Sequence, residues 1–96
     1  MMLWQKFTFY IGADNDSGMV DYERISALFS EEFDGFTIIP CTGYWLGKPE
    51  HSCKVEVIVQ DEENHNWMML VRRLKKILKQ DAILFTKEKL SRAFIG

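Results

Sequence analysis

The residues from Thr42 to Val59 constrain the fold more than any other stretch of this chain. Cys53, Val55, Val57 and Val59 alternate with Ser52, Lys54, Glu56 and Ile58, the two-residue period of a strand with one buried face. Upstream, the residues from Phe36 to Trp45 are rich in β-formers and broken only by Pro40, which predicts a partner strand. Leu46-Gly47-Lys48-Pro49 lies between the two and has the Gly and Pro of a connecting turn. The result is a hairpin whose mouth carries the only dense cluster of reactive side chains: Tyr44, Trp45, Lys48, Glu50, His51 and Ser52.

The rest of the chain reads as scaffold. Leu3 to Ala13 predicts a first strand with Leu3, Phe7, Phe9 and Ile11 on a core face and Trp4, Lys6, Thr8 and Tyr10 on an amphipathic one. Ala13-Asp14-Asn15-Asp16-Ser17-Gly18 is a loop of turn formers. Val20 to Phe33 predicts a helix with Tyr22, Ile25, Leu28, Phe29 and Phe33 in its apolar stripe and Asp34-Gly35 as its stop. Gln60 to Asn64 is a polar loop, and Asn64 to about Gln80 predicts a second helix on Trp67, Leu70, Val71, Leu74, Ile77 and Leu78, with Met68 and Met69 as packing residues beside the stripe. Asp81 to Lys87 predicts a last long strand, and Arg92 to Ile95 a small edge strand.

Strand, helix, strand, strand, helix, strand is the order of an α+β, ferredoxin-like βαββαβ domain, one four-stranded antiparallel sheet with two helices on one face. A chain of 96 residues is one such domain, residues 1–96. The other sheet face is left bare. Trp4, Tyr10 and the surplus among three Trp, three Tyr and seven Phe call for a covering surface, so sheet faces are expected to pack together in a closed oligomer, a trimer.

Charge narrows the partners. Twelve Lys and Arg against 14 Asp and Glu leave a formal charge of −2, with no general attraction for nucleic acid or anionic lipid. The basic run Arg72, Arg73, Lys75, Lys76 and Lys79 brackets an apolar stripe and reads as a solvated helix face. No apolar run approaches the roughly 20 residues of a membrane span, and the first residues lack the pattern of a secretory leader, so a cytoplasmic protein with Cys41 and Cys53 as free thiols is expected. The acids of the 13–18 loop lack the ligand spacing of a calcium loop. No metal and no cofactor is expected.

Gly43-Tyr44-Trp45, a short loop, then Glu50-X-Ser52 leading into Val55-X-Val57 resembles a small PII-like domain family of unknown function. It is also similar to the S-adenosylmethionine lyases of bacteriophages, as is the junction Lys79-Gln80-Asp81-Ala82-Ile83-Leu84-Phe85. The resemblance spans nearly the whole chain, with a shorter loop between Tyr44 and Glu50 and an earlier end than in the lyases. It implies a PII-like trimer with a small-molecule site in the cleft between subunits, taking an adenine-containing metabolite or nucleotide signal, and a role in phage counter-defence. Ligand-binding residues would be Tyr44, Trp45, Glu50 and Ser52. The resemblance equally implies an enzyme, a lyase in which Tyr44 and Glu50 are catalytic and the substrate's own carboxylate displaces methylthioadenosine, leaving homoserine lactone.

Bland readings stand beside these. Glu50 is either a ligand group or a solvated hairpin residue, Tyr44 and Trp45 are either site or interface aromatics, and a structural or protein-binding oligomer without a ligand is a third reading. Adjacent strand residues face opposite sides, which sets His51 against Glu50 as a dyad, and a Cys53–His51 nucleophilic pair is discounted on the same ground.

Overall fold

The structure is a computed structural model, and it describes residues 4–60, 66–80 and 83–90. The elements are β1 (Trp4–Gly12), α1 (Tyr22–Glu32), β2 (Thr37–Trp45), β3 (Lys48–Gln60), α2 (Trp67–Ile77) and β4 (Leu84–Leu90). They form one sheet in the order β2-β3-β1-β4, antiparallel throughout, so the predicted α+β, ferredoxin-like arrangement is the one present. The expected edge strand at Arg92–Ile95 lies outside the described residues.

Alternation decides the two sheet faces. Phe7 lies opposite Val57, Phe9 opposite Val55 and Ile11 opposite Cys53, and all six are buried. Ile25, Leu28 and Phe29 of α1 and Leu70 and Leu74 of α2 close the same core, which places both helices on that face. Aromatic rings fill its centre. Phe9 meets Phe29 edge-on at 5.1 Å between centroids, and Phe7 stacks on Trp67 at 3.7 Å, arrangements that add to the burial of large side chains. The helices run antiparallel: the Arg24 guanidinium donates to the Ile77 carbonyl at 3.2 Å, while Arg73 meets Glu31 at 2.6 Å.

Side-chain caps set the helix starts. Asp21 accepts from the Arg24 amide and Asn66 from the Met69 amide, each at 3.1 Å, satisfying amide donors that the helix itself cannot. The end of α1 differs from the expected glycine stop. Phe33 leaves the helix in extended conformation and buries its ring, so the core demand of one phenylalanine ends the helix and Gly35 is not in the left-handed region. Met68 and Met69 do not pack: at 63% and 58% exposure they stand on the solvent side of the first turn of α2. Tyr22 is likewise exposed, and β4 starts later and runs further than the sequence suggested.

Pro40 sits on β2, an outermost strand. The two-residue turn closes on Trp45 and Lys48 as a hydrogen-bonded pair, so alternation makes Pro40 and Cys53 a non-bonded pair. The Pro40 nitrogen therefore faces away from β3, where its missing N–H leaves no ladder bond unmade. Cys41 and Cys53 are free thiols, as expected. Pro40 lies opposite Cys53 and Cys41 opposite Ser52, so the pleat turns the two thiols to opposite faces. Burial first, and Cys41 second, pushes the Cys53 thiol up to about 11. At pH 8 a thiol reagent should therefore label Cys41 and reach Cys53 only as denaturant unfolds the chain; equal labelling rates in the native protein would contradict this packing.

The hairpin turn is tighter than the four residues expected. Trp45 pairs with Lys48, leaving Leu46 and Gly47 as a two-residue loop with φ of 50° and 77°, the type I′ geometry that favours Asn-Gly. Leucine in the left-handed region is strained, and Leu46, 85% exposed, gains no burial in return within the chain. Leu46→Asn should stabilise the fold by about 0.5–1 kcal/mol, read as a rise in the thermal unfolding midpoint. A fall would show that the leucine is held by contacts outside this subunit.

Candidate functional site

β1 stops pairing with β3 at Gly12 opposite Ser52, whereas β2 and β3 continue together to Trp45 opposite Lys48. Residues 42–51 therefore form a two-stranded arm reaching past the rest of the sheet. Along it Gly43 faces Glu50 and Trp45 faces Lys48, on the side of the open sheet face; Thr42 faces His51 and Tyr44 faces Pro49 on the helix side.

A recess of about 570 Å³ lies on the open face at the root of this arm, walled by Tyr10, Trp45, Glu50, Ser52 and Gln80, with Gly12 at its floor. The glycine matters for a measurable reason. A Cβ at this position would stand 3.3 Å from Gln80 Oε1 and 3.4 Å from Glu50 Oε1, so the missing methyl lets both oxygens approach the strand.

Hydrogen bonds fix the polar walls. The Ser52 hydroxyl donates to the Ile11 carbonyl at 3.0 Å. Gln80 Nε2 donates to the Ala13 carbonyl at 2.9 Å and reaches the Gly12 and Leu78 carbonyls at 3.4 Å. Gln80 arrives there through the end of α2: Lys79 adopts φ of 53° and the Gln80 amide donates back to the Lys75 carbonyl at 2.9 Å, the long bond of a Schellman closure. Asn15 Nδ2 donates to the Lys79 carbonyl at 3.3 Å, and Lys79 Nζ pairs with Asp16 at 3.3 Å, tying the loop after β1 to the same helix end.

That loop holds its own shape. Asp14 Oδ1 accepts from the amides of Asp16 at 2.8 Å and Ser17 at 3.1 Å, and these two bonds, the Asp16 bond first, hold its carboxyl below the ordinary carboxylate range. A depressed carboxyl contributes above its unfolded-state pKa and loses that contribution as pH falls through its folded-state value. The Asp16 and Ser17 amides should thus keep their exchange protection at neutral pH and lose it on acidification below the usual aspartate range. Protection unchanged in Asp14→Ala would refute this role for the carboxylate.

Of the site residues expected from sequence, Trp45, Glu50 and Ser52 line the recess together. Tyr44 does not join them: the pleat puts it on the opposite face of the arm, 71% exposed, so the phenol and the Glu50 carboxylate do not share one recess of a single subunit. His51 and Glu50 fall on opposite faces as anticipated. His51 and Cys53, two residues apart, share a face after all. What separates them is burial, since Cys53 is fully enclosed and His51 lies on the exposed arm. Tyr10, expected as part of a packing face, and Gln80, quoted within the helix-to-strand junction, were not expected in the site, and Gly12 was not singled out. Tyr10 was readable as an outward-facing aromatic, whereas nothing local to Gly12 or Gln80 shows that a helix end and a strand end meet. Among the described residues no group of His, Cys, Asp and Glu is placed to hold a metal ion, and no helix is long and apolar enough to cross a membrane.

Fold and site together define a small α+β domain with ferredoxin-like strand order and a polar recess beside a projecting hairpin. It is similar in fold to a DUF3240 family protein of Shewanella baltica OS155, with a TM-score of 0.64 at 13% identity over 95% of this chain and 94% of that one; likeness at this identity is one of fold. The designed protein Foldit4 aligns over 97% of this chain and all of its own at 15% identity, with a TM-score of only 0.39, and supports no further comparison. No protein-family model matches the chain, and no curated protein matches it.

Proposed function

We propose that this chain is a PII-like binding module that assembles through its open sheet face into a trimer and holds an adenine-containing metabolite or nucleotide signal at the root of the arm. The observation that carries the reading is that an indole, a carboxylate, a hydroxyl and an amide line one recess, with the carboxylate and amide oxygens brought close to the bare Cα of Gly12. The recess is of the size of small-molecule sites, roughly 300–1,000 Å³. Trp45 supplies a flat apolar wall for a purine, and Glu50, Ser52 and Gln80 supply directional polar contacts. Assembly fits the open face, where Ile39, Lys54, Tyr10 and Leu84 form one row across the four strands with Tyr10 39% and Leu84 61% exposed. A neighbour resting on that row would wall the recess on its open side. Tyr44 has no place against the ligand of its own subunit in this arrangement, which weighs against a lyase built from Tyr44 and Glu50 of one chain.

Light scattering at micromolar concentration should return the mass of three chains. Adenosine nucleotides, cyclic dinucleotides and S-adenosylmethionine, screened by thermal unfolding, should include one that raises the midpoint saturably, by the equivalent of about 2.7 kcal/mol at a hundredfold excess over its Kd. Gly12→Ala, which crowds Glu50 and Gln80, should abolish the shift without unfolding the protein. A monomer indifferent to every adenine compound ends this reading. Methylthioadenosine released from S-adenosylmethionine by the native protein, and lost in Glu50→Gln, would favour the lyase instead.

A further inference from the structure

The hydrogen bonds around the recess say what kind of group it can receive. Gln80 Nε2 is surrounded by three backbone carbonyls, those of Ala13, Gly12 and Leu78. Carbonyl oxygens only accept, so that end of the amide must be the NH2 group, and Oε1 is forced to the other side, toward Gly12 and the recess. Ser52 has one hydroxyl proton and gives it to the Ile11 carbonyl, which leaves lone pairs for any incoming group. Asn15 commits its nitrogen to the Lys79 carbonyl in the same way.

Charge points the same way. Among the described residues that line the recess, Glu50 is the one bearing a full charge. Lys48 and Lys54 share the open face with Glu50, opposite Trp45 and Tyr10 respectively, but neither lines the recess, and Lys79 is engaged with Asp16. Neutral donors in the lining include the second Asn15 amide proton, the Trp45 indole N–H and the Tyr10 hydroxyl, the last two on rings whose faces attract cations. A phosphate would thus meet a carboxylate and two fixed oxygens with no cation in the lining itself, whereas an ammonium would meet three acceptors already in place.

We infer that the recess selects a small organic cation, an ammonium or amidinium carried on a flat ring system, over the phosphate-bearing form of the same ring. This rests on the reading of the recess as a ligand site and narrows the class of ligand, setting nucleoside amines above nucleotides. Glu50 neutralises the cation, Gln80 Oε1 and Ser52 Oγ accept its protons, and Trp45 covers the ring.

Calorimetric titration with two matched pairs tests it: 5′-amino-5′-deoxyadenosine against adenosine 5′-monophosphate, and tryptamine against indole-3-acetate. The ammonium member should bind about tenfold or more tightly than its anionic partner, and Glu50→Gln should collapse that ratio while the variant still unfolds cooperatively. Gln80→Leu should weaken the ammonium members and leave the anionic ones unchanged. Preference in the indole pair with silence in the adenosine pair upholds the cation site and ends the adenine reading. An anionic member bound equally or better overturns the cation site and leaves the adenine reading standing. A preference that survives in Glu50→Gln, or no binding by either pair, overturns the inference.

Discussion

The register of β1 against β3 is the constraint from which the rest of this molecule follows. With Phe9 opposite Val55 and Ile11 opposite Cys53, the buried apolar side chains of the two central strands all fall under the helices. Tyr10 and Ser52 fall on the other face for the same reason, because a slip of one residue would exchange the two sets. Such a slip would bring Lys54 and Glu56 into the aromatic core, where unpaired charge is far more costly than any turn or cap can offset. The core and the recess are therefore two sides of one pairing.

This pairing was legible in the sequence because both strands alternate without interruption, and because β-branched and aromatic residues crowd one parity of each. The helices were legible from their apolar stripes, with ends misplaced by a few residues. Asp21 and Asn66 start them by capping, a signal present in the sequence and overlooked. The end of α1 was less accessible, since Phe33 turns out of the helix to fill a gap that exists only once Phe29 and Trp67 are in place. Met68 and Met69 misled for the opposite reason: apolar residues beside a stripe pack only if something lies over them.

The site was half legible. Strand parity, applied to the arm as it was applied to the core, separates Tyr44 from Trp45 and Glu50, and the expected partnership of Tyr44 with Glu50 ignored it. Parity was also misapplied to His51 and Cys53, which share a face and differ in burial. Gly12 and Gln80 could not be paired from sequence, because they stand 68 positions apart and their meeting depends on how far α2 runs before Lys79 turns it. A left-handed lysine is an unusual helix terminator, and composition alone would place the end at a glycine.

Pro40 has a consequence beyond tolerating its place on β2. The outer edge of a sheet is a row of alternating donors and acceptors that another chain can extend indefinitely, the route by which folded domains grow into fibrils. A proline in mid-edge removes one donor from that row and sets a ring where the next backbone would lie, so strand addition stalls there. The molecule thus guards its longest outer strand against open-ended polymerisation while its broad face stays free for association of finite size.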